Sequence, residues 1–261
     1  MRPYLCLLLL LCATAAHARP TPKTIEQELL RHLKRIHYWA DYEGDDPKIN
    51  AADSLSRANE RFRRQLLRYS ATEPATLRYA FPLLQAEHLI IATAPDQRLR
   101  IYSWDTETGG TMHFYDNVCQ FQTGAGVAAQ PLPAANGPAD AKAFYSEIFA
   151  VPKGPQTYYL AYANATYSSS DCYQQVKAFT IEGGKLNPDA RLIRTASGLK
   201  NTLGFAFDFF SVVDRPERPV RLITYDPATQ LLQIPVVWAG GKVTSKRISY
   251  QFNGREFVKV N

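Results

Sequence analysis

Asp105, His113 and Asp116 are the residues of this chain best suited to proton transfer. They sit around an aromatic stretch, Tyr102-Ser103-Trp104-Asp105 followed by Thr111-Met112-His113-Phe114-Tyr115-Asp116. An imidazole beside carboxylates is common equipment for general acid or base work. A hydrolase or lyase could use these three groups near Trp104. The usual markers of hydrolytic chemistry are missing, because the chain has no G-x-S-x-G elbow and no H-E-x-x-H helix. Ser197-Gly198-Leu199-Lys200 matches S-x-x-K, yet the companion motifs S-D-N and K-T-G are absent, so a loop between strands is the better reading.

Cofactor and metal chemistry are weakly supported. Gly124 to Ala129 fits G-x-G-x-x-A, but Pro131, Pro133, Asn136, Gly137 and Pro138 follow where the fingerprint needs a helix to hold a pyrophosphate. A flexible loop over residues 123 to 140 is expected instead, and no cofactor. His32 and His37 are turned about 140° from one another on a helix, which prevents them from sharing a metal. The acidic loop Asp41 to Asp46 lacks the twelve-residue calcium register with its closing glutamate. No metal site is expected.

Two groups of residues are candidates for binding. Tyr102 and Trp104 share one face of an alternating strand, opposite Leu99 and Ile101. With Tyr115, and with Tyr158, Tyr162 and Tyr167, they can form a platform that stacks on sugar rings or holds a peptide; packing in the core is the competing reading. Arg215, Arg218 and Arg221 crowd a corner limited by Pro216 and Pro219, near Asp208, Asp214 and Glu217. Guanidinium forks there can pair with the carboxylates or receive an acidic ligand. Arg61, Arg64 and Arg68 lie on the polar side of a helix and read mainly as its wet face.

The elements that must position these residues follow from hydrophobic periodicity. Ile25, Leu29, Leu33, Ile36 and Ala40 recur at helical spacing after Thr24-Ile25-Glu26-Gln27, which predicts a helix over 24–40. A second helix over 50–69 carries Leu55, Ala58, Phe62, Leu66 and Tyr69 on one side, so the two should form a hairpin. From about residue 76 the period becomes two. Strands are predicted over 89–93, 98–104, 111–122, 144–151, 157–166, 173–181, 190–195, 204–213, 220–225, 231–238, 242–251 and 256–260, with Asn253-Gly254 as the strongest hairpin signal. The expected fold class is mainly β (α+β): an antiparallel meander of about twelve strands, arranged as a sandwich, barrel or propeller-like array, with an N-terminal helical hairpin.

Composition agrees with a globular core, since 46% of the 261 residues are hydrophobic and 21% charged. A net charge of +6 spread over the whole length gives no reason to expect nucleic-acid binding. Met1-Arg2, the apolar run over 5–13 and the small-residue ending Ala16-His17-Ala18 predict a signal peptide over 1–18, leaving 19–261 as one exported domain. No run is long enough for a transmembrane helix. In an exported chain the remaining pair, Cys119 and Cys172, is most simply one disulfide, worth roughly 4 kcal/mol.

At Tyr102-Ser103-Trp104-Asp105 with Gly109-Gly110-Thr111, and at Ser211 to Arg221, the chain resembles uncharacterised exported β-rich proteins of bacteria. That resemblance implies a periplasmic or cell-surface location and no particular active site. The expectation is a non-enzymatic module that binds an envelope ligand, glycan or peptide, or a protein partner. The alternative is a hydrolase or lyase acting in the envelope.

Overall fold

A computed structural model describes residues 19–132 and 143–260. The predicted signal segment therefore lies outside the described residues. Helix α1 spans Pro22–Ala40, earlier than its periodicity suggested, because Pro22 suits the first helical turn and the Thr21 hydroxyl accepts from the Thr24 amide. Helix α2 spans Ala51–Thr72 and is capped by Asn50, whose side chain accepts from the Asp53 amide. The two pack as a hairpin through Ile25, Leu29, Leu33 and Ile36 against Leu55, Phe62 and Leu66. A short helix, α3 (Pro82–Ala86), leads into the sheets.

Fifteen strands among the described residues form three sheets. The first is a meander of β1 (Ile90–Thr93), β2 (Leu99–Asp105), β3 (Tyr115–Thr123) and β4 (Gly126–Pro131). The second runs β11 (Thr202–Asp208), β7 (Asp171–Glu182), β6 (Gln156–Thr166), β5 (Phe144–Lys153), with β8 (Lys185–Asn187) also paired to β7. In the third the order is β10 (Gly198–Lys200), β9 (Ile193–Thr195), β15 (Phe257–Val260), β14 (Val243–Phe252), β13 (Leu231–Val237), β12 (Thr224–Asp226). Pairing is antiparallel except where Phe257 of β15 meets Ile193 of β9.

Alternation along the strands stacks these sheets into layers. Tyr102 and Trp104 of β2 enter the core under the helices, while Leu99 and Ile101 enter a second core shared with Tyr159, Ala161, Ala163 and Ala165 of β6. On the opposite face of β6, Leu160 and Tyr162 pack in a third core with Leu232, Tyr250 and Phe257 of the third sheet. The fold is mainly β and sandwich-like, with the helical hairpin as its outer layer, and the sheets do not close into a barrel.

Several local expectations need correction, among them the loop expected at residues 197–200, where Gly198–Lys200 is β10, paired with Ile193–Thr195 of β9. The segment expected as a loop from residue 123 holds β4, since Gly126 has a positive φ that closes a tight hairpin and Val118 pairs with Pro131. Residues 209–212 form a 3₁₀ turn because the Asp208 side chain accepts from the Phe210 amide. Of the predicted strand over 220–225 only Thr224 and Tyr225 are in a strand, β12, because the amides of Leu222 and Ile223 donate to the Gln174 side chain instead.

Cys119 and Cys172 are free thiols, so the expected disulfide is corrected. Cys119 on β3 is buried between the first two sheets, whereas Cys172 on β7 packs beside Phe207, Val212 and Leu222 in a separate core. Burial pushes both thiols up, and Cys119 is fully enclosed. Alkylation of the native protein followed by peptide mapping should label Cys172 slowly and Cys119 only after denaturation. Equal native labelling of both would contradict this packing. No helix among the described residues is long and apolar enough to cross a membrane.

Candidate functional site

Tyr102 and Trp104 do not form a surface platform. Their side chains are 0% and 1% exposed because the hairpin covers that face of β2. Trp104 Nε1 donates to Asn59 Oδ1 at 3.0 Å, and the Tyr102 hydroxyl lies 2.7 Å from Gln120 Oε1. Tyr115 is half-buried on the other face of the sheet, its ring 4.8 Å from that of Phe144. The two-residue alternation thus separates the aromatic residues that the sequence places side by side.

The same alternation divides the acid–base candidates. Asp105 ends β2 directly opposite Tyr115, and its Oδ2 lies 2.5 Å from His113 Nδ1. Asp116, opposite Trp104, lies on the helix side, 3.3 Å from Arg63 Nη1, so it takes no part in that pair. Beside the dyad is an open cleft of about 550 Å³, lined by His88, Ile91, Asp105, Glu107 and Tyr115. Burial, then the Asp105 charge, raises the Glu107 carboxyl above its ordinary value. With Nδ1 within hydrogen-bond distance of Asp105, Nε2 is the imidazole nitrogen left to meet a ligand.

Tyr115 is pushed up to about 12 by burial and by Asp105 and Glu107, and Tyr225 is pushed up to about 12 by burial and Asp226. Tyrosine in the unfolded chain ionises near about pH 10. A phenol with a raised folded-state pKa adds stability below its unfolded value and loses it as pH rises through the folded value. Urea midpoints should therefore fall progressively between about pH 10 and 12, together with delayed tyrosinate absorbance. Full ionisation of every tyrosine near pH 10 in the folded protein would contradict this.

The arginine corner holds the most developed polar constellation. Arg218 is a staple of its own loop, donating to the carbonyls of Arg215, Glu217 and Val213 and covering the Phe209 ring at 5.3 Å. Arg215 pairs with Glu217 at 3.5 Å, and Arg221 Nη2 meets Glu147 Oε2 at 2.6 Å. Asp208 is absent from this network because it caps the 3₁₀ turn. Arg247 of β14 completes the cluster by donating to the Leu222 carbonyl.

Below these side chains is a cleft of about 380 Å³ lined by Ser146, Tyr162, Asn164, Gln174, Arg218 and Arg221. A bulge in β5 between Tyr145 and Glu147 turns Glu147 to the face of Tyr162, its register partner on β6. Asn164 Nδ2 donates to Ser146 Oγ at 2.9 Å, and Gln174 Nε2 donates to Asn164 Oδ1 at 2.8 Å and to the Val220 carbonyl at 2.7 Å. The Tyr162 hydroxyl is buried without a hydrogen-bond partner among the described residues. Burial raises its pKa, so it stays a neutral donor. Burial also raises the Glu147 carboxyl, with Arg221 opposing, and lowers the Arg247 guanidinium, with Arg215 acting in the same direction.

Of this cleft, the sequence singles out Arg218, Arg221 and, as an aromatic, Tyr162. Glu147, Gln174 and Arg247 are not singled out there, and Asn164 stands out only as part of the sequon Asn164-Ala165-Thr166. The available signal was Asn164, a polar residue within the largely apolar run of β6 from Leu160 to Ala165. Among the described residues no group of three or more histidine, cysteine or carboxylate side chains is arranged to hold a metal ion.

These features describe a helix-capped stack of antiparallel sheets with a cationic, tyrosine-floored cleft at the edge of its central layer. In comparisons with known proteins, no family matches the chain and no curated protein does.

Proposed function

We propose that this chain is an exported, non-enzymatic binding module of the cell envelope whose glycan or peptide ligand presents a carboxylate to the Arg221 cleft. The single observation that carries the reading is the buried Tyr162 hydroxyl, unpartnered in a cleft walled by Arg218 and Arg221. A buried donor without a partner costs about 1–3 kcal/mol. A ligand oxygen that accepts from it recovers that cost, and Arg221, whose Nη2 already meets Glu147, keeps further N–H donors for the carboxylate. Export is supported by Met1-Arg2, the apolar run after it and Ala16-His17-Ala18.

The test is calorimetric titration with uronic-acid oligosaccharides and with peptides ending in a free carboxylate, using the amidated peptide as control. Tyr162→Phe is expected to weaken binding about tenfold while leaving stability unchanged or higher, because it removes an unsatisfied hydroxyl. Binding unaffected by both Tyr162→Phe and Arg221→Ala would sink the assignment.

The Asp105–His113 contact favours a second reading, a hydrolase or lyase in which His113 acts as base and Asp105 orients it. On that reading, His113→Ala abolishes turnover of an envelope substrate without unfolding the protein.

A further inference from the structure

The outer groove between α1 and α2 collects positive charge that no carboxylate among the described residues neutralises. It encloses about 450 Å³ and is lined by Arg31, His32, Arg35 and Trp39 of α1 with Arg57 and Arg61 of α2. Within each helix the arginines are four residues apart, so Arg31 stands beside Arg35 and Arg57 beside Arg61. Like charges at that spacing repel and destabilise a helix.

Three other cations on these helices do have carboxylate partners. Lys34 pairs with Glu87 at 3.1 Å, Arg63 pairs with Glu60 and Asp116, and Arg68 approaches Glu28 at 3.6 Å. None of the four groove arginines has a carboxylate partner among the described residues. Arg57 reaches only the Ser54 hydroxyl at 3.2 Å, and Arg35 lies over the rings of Tyr38 and Trp39 at 4.5 and 4.6 Å. Glu28, the acid closest to His32 in sequence, is already engaged by Arg68 and by the Tyr69 hydroxyl at 2.5 Å. His32 is held below its ordinary pKa by burial, with Arg61 and Arg31 acting the same way against Glu28. A concave site with four unneutralised guanidiniums suits a compact ligand of matching negative charge. Guanidinium forks fit the tetrahedral oxygens of phosphate two at a time.

We propose that the α1/α2 groove is a second binding site, for a small molecule carrying two or more phosphate groups gripped by Arg31, Arg35, Arg57 and Arg61. It is independent of the Arg221 cleft, which lies beyond the first sheet at the edge of the second. Its volume is that of a small-molecule site.

The probe is inorganic tripolyphosphate in metal-free sodium buffer, titrated calorimetrically into the full chain. Parallel titrations with ATP and with a bisphosphorylated hexose separate a nucleotide from a sugar-phosphate source. The expected result is saturable one-to-one binding of tripolyphosphate that weakens at least about 30-fold in the double variant Arg31→Gln, Arg57→Gln. The charge-matched control Arg64→Gln, Lys246→Gln should change affinity less than about threefold. Glutamine keeps nearly the helix propensity of arginine and relieves the repulsion, so the variant should melt no lower than the parent. Tyr162→Phe should leave tripolyphosphate binding untouched, so failure of either site can be told from failure of the other. Absence of saturable binding at millimolar probe overturns the proposal. So does equal loss in variant and control, or binding of a 20-mer single-stranded DNA as tight as that of tripolyphosphate at equal phosphate concentration.

Discussion

Trp104→Ala is expected to destabilise the folded chain by about 3–5 kcal/mol, the range for deleting a buried large aromatic side chain. Trp104 lies at the junction of hairpin and first sheet, its ring edge-on to Phe62 at 5.0 Å and its indole nitrogen hydrogen-bonded to Asn59. Alanine opens a cavity on both sides of that junction and leaves the Asn59 carbonyl oxygen without its donor. Trp104→Phe keeps much of the apolar contact but loses the hydrogen bond, so an intermediate loss of about 1–3 kcal/mol should follow. Trp238, 57% exposed, is the control, since Trp238→Ala should fall within about 0.5 kcal/mol of the parent. Urea denaturation followed by far-ultraviolet dichroism reads all three. A Trp104→Ala protein as stable as Trp238→Ala would mean that the hairpin does not sit on this face of β2. The ligand-stacking reading of Trp104 would then be open again.

That prediction also shows where legibility stops. Both long helices and twelve of the fifteen described strands can be found from periodicity, because each must bury a stripe or a face whatever covers it; β4, β8 and β10 are missed. What does the covering lies outside the period. Along β2 every residue from Leu99 to Trp104 is buried, including Arg100 and Ser103. The alternation distinguishes two faces without indicating that one meets a sheet and the other a pair of helices. Arg100 survives in that setting because its guanidinium donates to Thr93 and to the carbonyls of Thr76 and Tyr79. Those partners are up to 24 positions away, joined only once the chain is folded.

The candidate site is legible to a similar depth. Arginines gathered around two prolines announce a cationic corner, and the Asp105–His113 contact can be anticipated because the two residues flank one turn. Arg221, in the irregular segment before β12, and Glu147 of β5 by contrast meet only through a bulge that has no signature in sequence. The disulfide expectation failed for a related reason. Pairing two cysteines by elimination assumes that they share a core, and the layers put them in different ones.

Gln174→Leu should produce the second large loss, about 4 kcal/mol, and with it the collapse of the Arg221 cleft. The Gln174 amide is saturated: its nitrogen donates to Asn164 and Val220, and its oxygen accepts from the amides of Leu222 at 2.9 Å and Ile223 at 2.8 Å. One side chain thereby does for the crossing segment what a neighbouring strand would do. Leucine fills similar space, yet it strands two backbone amides, a backbone carbonyl and the Asn164 oxygen, each costing about 1–3 kcal/mol if no water reaches it. Gln174→Glu separates hydrogen bonding from shape. Its carboxylate still accepts from Leu222 and Ile223 but cannot donate, and in so buried a position its pKa must rise above the unfolded value of about 4.3. The sign of the linkage is then fixed. The penalty is complete well above the raised folded pKa and recedes as pH falls through it toward about 4.3, because the protonated acid regains one donor. The Gln174→Leu deficit has no such titration. Chemical denaturation of both variants at about pH 8 and pH 5, each compared with the parent, reads the difference. If the two deficits move in parallel with pH, Gln174 is packing against the crossing segment rather than bonding it, and the cleft that holds Arg221 above Tyr162 needs another scaffold.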